Sequence, residues 1–249
     1  MQAHTISGIH HITAIAGDPQ RNLDFYTALL GLRLVKLAVN FDDPGTYHFY
    51  FGNASGTPGS ILTFFPWPGA RRGTVGTGQV TATTFAIPHG SAPYWRARLS
   101  SQAVAVTDAG ERFGEAVIAT ADPDGLPLEF IATRRAKPEL AWTGSTVDRE
   151  HAICGFHGAT ISEEGYEQTA RLLTATMGLS LIGSEGTGSG TAPPTPKMPP
   201  SSTSCARPAV ASDDSAQARC TTSHGVRRTM RSSCSGAASW RDRATTCRL

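Results

Sequence analysis

Two stretches far apart in the chain follow the same plan. LLGLRLV at 29–35 and ATMGLSLI at 175–182 each close a helix-like run with Gly-Leu and pass into a β-rich one. Each also follows a strand-like run that carries a histidine. His11 precedes Gly31 by twenty residues, and His157 precedes Gly178 by twenty-one. A recurring β-α-(Gly-Leu)-β unit limits the possible folds, because so small a unit must bury its sheet face against its own helix and pair with another unit. The fold class expected is α+β, with mixed or antiparallel sheets. A doubly wound parallel sheet fits poorly, since strand-like runs follow one another without intervening helices.

The first unit reads clearly. Ile6 to Ile15 is rich in Ile and Thr and predicts a strand. Asp18 can cap a helix with Pro19 in its first position. Leu23, Tyr26, Leu29 and Leu30 recur at helical spacing, and Gly31 fits the C-cap. Strands are expected at Leu32–Val39, Tyr47–Phe51 and Ser60–Phe65. The pattern restarts with a strand at Val80–Ile87, a helix from Ser91 to about Leu99, and strands at Glu115–Ala121 and Leu126–Thr133 across an Asp-Pro-Asp-Gly turn. A third start comes near Ile153, with a strand at His157–Ile161 and a helix over 163–177.

Composition matters at the other end. Residues 183–249 hold one aromatic, Trp240, no Ile, Phe or Tyr, and four of the five cysteines. That stretch carries nine Lys/Arg against four Asp/Glu; the remainder carries thirteen against sixteen. The overall +2 is a sum of opposites and points to no nucleic-acid partner. GSEGTGSGTAPPTPKMPPSSTS is Gly/Pro/Ser/Thr-rich, so 183–249 is expected to be disordered. The start lacks a signal-peptide pattern, and no run of eighteen apolar residues predicts a membrane span. A lone cysteine in the organised part, Cys154, suits a reducing cytoplasm. The tail cysteines form no C-x-x-C pair and so no zinc site.

The residues themselves carry a resemblance. ISGIHHITAIAGDPQRNLDFYTALLGLRLVKLAVNFDDPGTYHFYFGN, with LTFFPWPGARRG at 62–73 and DPDGLPLEF at 122–130, resembles ring-cleaving dioxygenases of the glyoxalase/bleomycin-resistance/extradiol-dioxygenase, or vicinal oxygen chelate, superfamily. The hydroquinone-type enzymes are the group most similar. The resemblance covers about residues 4–182 and implies tandem β-α-β-β-β modules. Paired first and second modules are expected over 4–135, and a partial third over 150–182. A fourth module would bring a second histidine-bearing strand and a strand ending in Glu. Neither follows residue 182, although VASDDSAQAR at 210–219 resembles the region after that strand. A change of reading frame near Gly183 would account for the tail.

The resemblance implies a metal, Fe(II) foremost and Mn, Zn or Ni as alternatives, held by two histidines and a carboxylate. It also implies a small aromatic diol or quinol and O2 as substrates. His11 matches the family's first-strand ligand. His10, on the opposite face of the strand, would pack or hydrogen-bond behind it. Glu129 sits at the carboxylate position of a module-ending strand, with an edge-strand charge as the plainer reading. His157 matches the first-strand histidine of the third module, with a half-buried packing role as the alternative. His48 could line a pocket or pack across strands. Phe64-Phe65-Pro66-Trp67-Pro68 beside Arg71-Arg72 could receive a ring or anchor modules together.

Two functions follow. One is a ring-cleaving dioxygenase, impaired in this chain because the ligand set is incomplete. The other is a metal-free binding module for small aromatics. Neither calls for a membrane or nucleic acid, and an orphan apolar face would favour a homodimer. Limited proteolysis is expected to cut first beyond residue 182, leaving a fragment that begins near the N-terminus and ends at 135–180. A tail protected to Leu249 would refute the frame change.

Overall fold

A computed structural model describes residues 6–185, 188–192, 209–211 and 216–218. Most of the segment read as a disordered tail lies outside the described residues.

The first module is a four-stranded sheet and one helix. Strands β1 (His11–Ala16), β2 (Arg33–Val39), β3 (Tyr47–Gly52) and β4 (Ile61–Pro66) lie in the order β1-β4-β3-β2. The β1–β4 pair is parallel and the other two pairs are antiparallel. Alternation along β1 buries Ile12, Ala14 and Ala16 and turns His11, Thr13 and Ile15 to the other face. Helix α1 (Pro19–Asp24) begins as expected: the Asp18 carboxylate accepts the Arg21 amide at 2.7 Å. It then widens into a π-helical turn, Phe25–Leu29.

The second module repeats this layout. Strands β5 (Gln79–Pro88), β6 (Thr107–Arg112), β7 (Glu115–Ala121) and β8 (Pro127–Thr133) run β5-β8-β7-β6, again with first and last strands parallel. Helix α2 spans Ala92–Ser101. The Ser91 hydroxyl does not cap it, but donates to the Glu150 carbonyl at 3.1 Å. Strand β6 was not foreseen, because five of its six residues are exposed and show no alternation.

The third unit opens with β9 (Gly155–Glu163), antiparallel to β5. Sheet continuity therefore links the second and third modules rather than the first and second. Helix α3 (Glu167–Arg171) is shorter than the 163–177 expected, and it too runs into a π-helical turn, Leu172–Thr176. The sequence repeat is visible in its hydrogen bonds. The amides of Leu32 and Leu179 reach six residues back to the carbonyls of Tyr26 and Leu173, across Gly31 at φ +72° and Gly178 at φ +73°. Each closure reaches one residue further back than a Schellman motif, following the π-helical turn, and its left-handed residue favours glycine. At Gly31 a Cβ would also collide with Ser145 Oγ. Strands β10 (Ser180–Glu185), β11 (Gly188–Ala192), β12 (Ala209–Ala211) and β13 (Ala216–Ala218) extend the sheet beyond β9. β12 begins one residue before VASDDSAQAR and β13 falls within it. Among the described residues no helix is long and apolar enough to cross a membrane.

One core serves the first two modules and the start of the third. Tyr26 packs on Phe51 and Phe64, Trp95 on Phe130, and Phe85 on Phe156. Polar contacts lock the modules together at the end of α1. The buried Tyr26 hydroxyl donates to Asp122 at 3.1 Å, and Asp122 also accepts the amides of Asp124 and Leu126. Burial pushes the Asp122 carboxyl up, and these hydrogen bonds oppose the shift. Nearby, Asp124 accepts the Gly17 amide at 2.9 Å and pairs with Arg21 at 2.8 Å. Tyr26→Phe removes a hydrogen bond to a buried carboxyl group and is expected to cost about 1–3 kcal/mol. Urea unfolding should show a lower midpoint at unchanged slope. Asp122→Ala, which strips three donors of their acceptor, should cost more.

Candidate functional site

Period-two alternation gathers the polar and aromatic side chains of the first module on the sheet face away from the core. In register, Thr13 of β1 lies beside Thr63 of β4, which lies beside Tyr50 of β3. Thr63 Oγ1 donates to Thr13 Oγ1 at 2.9 Å. His11, Ile15, Ile61, Phe65 and His48 extend this face. His48 lies against Phe65, ring centroids 4.1 Å apart, and Phe65 stacks on Trp67 at 6.1 Å. The Trp67 indole donates to Thr46 Oγ1 at 2.8 Å, which fixes the ring. The ammonium of Lys36 sits 5.3 Å from the Tyr50 ring centre.

His48 is the chemically distinctive group. Its Nδ1 lies 2.9 Å from the Tyr50 hydroxyl, while its buried Nε2 has no hydrogen-bond partner among the described residues. Burial, reinforced by the charges of His11 and Lys36, lowers its pKa from 6.5 to about 4, so the ring is neutral at pH 7. A neutral imidazole donates at one nitrogen and accepts at the other. If Tyr50 donates to Nδ1, Nε2 presents a proton; if Nδ1 donates to Tyr50, Nε2 presents a lone pair. Burial also raises the Tyr50 phenol. The pair can therefore meet either a hydroxyl or an oxyanion on an aromatic ring.

His10 and His11 are closer than opposite strand faces would allow. His10 precedes β1 rather than lying within it, and its ring meets that of His11 edge-on with the two Nδ1 atoms 3.1 Å apart. One ring must donate to the other at that contact.

Glu129 and His157 lie on the second sheet, apart from His11. Glu129 is buried and fully engaged. Arg112 donates to it from Nη1 at 2.8 Å and Nη2 at 2.9 Å, and Thr84 Oγ1 donates at 2.7 Å. His157, also buried, has its Nε2 3.3 Å from a Glu115 carboxylate oxygen. Among the described residues no three His, Cys, Asp or Glu side chains form a group that could hold a metal. The two-histidine, one-carboxylate set that the resemblance implies is therefore not assembled by His10, His11, Glu129 and His157. Arg112 was missed because β6 was missed; Glu115 opens a strand that was expected, but its partner His157 lies on a different strand. The signal was ERFGE: Phe113 at φ +50° and Gly114 at φ +72° make the two-residue turn of a tight hairpin. Cys154 is buried and its thiol is pushed up to about 11, which makes it a poor nucleophile.

Comparison with known proteins agrees with the geometry of the modules. Residues 8–130 match the Glyoxalase/Bleomycin resistance protein/Dioxygenase superfamily. The chain is 52% identical over 179 residues to MhqO of Bacillus subtilis (strain 168), to which ring-cleaving dioxygenase activity is provisionally ascribed. That alignment covers 72% of this chain and 57% of MhqO. It is 33% identical over 184 residues to a chlorohydroquinone/hydroquinone 1,2-dioxygenase of Sphingobium indicum, covering 73% of this chain and 57% of that enzyme. A crystal structure of a provisionally assigned Bacillus subtilis dioxygenase superposes with a TM-score of 0.73 at 50% identity, over 76% of this chain and 60% of that one. The chain thus spans between 57% and 60% of the length of these relatives.

The lowered pKa of His48 has a measurable sign. Below pH 6.5 the unfolded chain protonates this ring, while the folded chain resists until about pH 4. The stability contributed by a neutral His48 is present above pH 6.5 and lost as pH falls from 6.5 towards 4. Between pH 7 and pH 4 the thermal midpoint of the native chain should fall further than that of His48→Gln. Equal falls would place His48 in contact with water.

Proposed function

Because the chain belongs, through residues 8–130, to the Glyoxalase/Bleomycin resistance protein/Dioxygenase superfamily, we propose that its first-module face binds a hydroquinone- or catechol-like ring for oxidative cleavage by O2. The relatives' names support the reaction class, and the Sphingobium enzyme supports the substrate class. The observation that carries the reading is the neutral His48, its unpartnered Nε2 beside Tyr50 and Phe65.

These residues have distinct tasks. Phe65 and Trp67 offer a flat apolar surface to the ring. His48 and Tyr50 hydrogen-bond a ring oxygen and exchange its proton through the linked Nδ1 contact. Lys36 favours a ring oxygen that has lost its proton. His11, at the edge of the same face, is the residue placed to hold a metal from this module. A metal would supply the means for O2 to react with the bound ring. The described residues do not supply a full ligand set for one, so the chain is proposed to be an impaired enzyme when alone.

A second reading is a binding module that sequesters small aromatics without metal, on the surface of Phe65 and Trp67 beside the neutral His48. Oxygen uptake with hydroquinone or catechol, after anaerobic Fe(II) loading, tests the first reading. Turnover is expected below the ordinary enzymatic range of ~1–10³ per second, and His11→Ala should abolish what remains. Turnover within that range would overturn the impairment. Binding of hydroquinone, followed by Trp fluorescence, should weaken in Phe65→Ala. Elemental analysis separates the two readings: bound iron or manganese favours the enzyme, and binding of the ring without metal favours the module.

A further inference from the structure

Trp67 is anchored towards both borders of its sheet. Its amide donates to the carbonyl of Ala16, the last residue of β1, at 2.8 Å. Its indole reaches the other way, to Thr46 Oγ1 just before β3 begins. Thr46 is buried, whereas the Trp67 ring is half-buried and stacks on Phe65. The turn that carries Thr46 is tied within itself. The Thr46 amide donates to the Asp43 carbonyl at 2.9 Å, and the Thr46 carbonyl accepts the Asn40 amide at 2.7 Å. The Asp43 carboxylate accepts the Gly45 amide at 3.3 Å on Oδ1 and the Thr46 hydroxyl at 2.7 Å on Oδ2.

These groups permit one direction of donation. An indole N–H can only donate, and a carboxylate can only accept. The Thr46 hydroxyl between them must accept from Trp67 and give its own proton to Asp43. A hydroxyl that donates to an anion is firmly held, and it becomes a better acceptor for the next donor.

We propose that Asp43 is a positioning residue for ring binding, holding the Trp67 indole through Thr46 in the orientation that continues the His48–Phe65 surface. The inference rests on the reading of this face as the seat of an aromatic ring. Its physical basis is pre-organisation: a side chain immobilised before the ligand arrives loses less freedom on binding. Asp43 is itself exposed, so its effect on the face passes through the buried Thr46.

The test uses the full chain and two measurements. Anaerobic titration calorimetry with hydroquinone gives the affinity. The near-ultraviolet circular dichroism that each protein loses on adding W67F gives the order of the indole. D43A and T46V should each weaken hydroquinone binding about 2–10-fold and diminish the Trp67 signal. D43N, whose amide oxygen still accepts, should restore both. In the W67F background D43A should weaken binding no further. D43A alone serves if T46V does not fold, because Asp43 is exposed. An unchanged Trp67 signal in D43A would overturn the proposal, and so would a D43A loss of affinity that is as large in W67F as in the native chain. A native chain that binds no hydroquinone would overturn the proposed function instead, and the Trp67 signal would still decide whether Asp43 and Thr46 hold the indole.

Discussion

Everything in the described structure depends on the parallel pairing of each module's first strand with its last. Closing β1 on β4, and β5 on β8, sets the first and last strands of each module side by side. Residues fifty positions apart thereby become neighbours, as Thr13 and Thr63 show. The same closure sets Thr84 beside Glu129. One face of each sheet then goes to the shared aromatic core. The other is left to polar and aromatic groups that must each find a solution to partial burial.

The two faces solve that problem differently. On the first, His48 gives up its charge, and Tyr50 and Phe65 surround a neutral ring. On the second, charge is kept and balanced inside the protein, with Arg112 against Glu129 and Glu115 beside His157. A neutral, under-bonded imidazole is suited to meeting a ligand. A carboxylate with three donors is suited to staying where it is. The contrast explains why two modules of one layout present unlike chemistry.

Much of the layout was legible because it is local. The Asp18 cap, the Gly31 and Gly178 closures and the alternation in β1 each depend on a few adjacent residues. The repeat even predicted matching helix ends, although the π-helical turns before them leave no composition signal. Glu129 was expected on a module-ending strand, which β8 is, but its partners were not. The decisive partner, Arg112, lies seventeen residues upstream on a strand whose exposed face shows no period. His10 and His11 were separated by an alternation rule that holds only inside a strand, and β1 begins one residue too late for it. Pairings that cross a sheet are set by register, which no single stretch of sequence displays.

The pairing of β5 with β9 leaves the two faces unequal in a further respect. Strand β5 is bonded along both sides, by β8 and β9, whereas β1 is bonded on one side only among the described strands. A strand tied twice opens only with much of its sheet, while one tied once can detach locally at smaller cost. The face bearing Glu129 is thus built into the most cooperative part of the molecule. The face bearing His11 hangs from a border that can yield, and its spacing can adapt to what it meets without disturbing the rest.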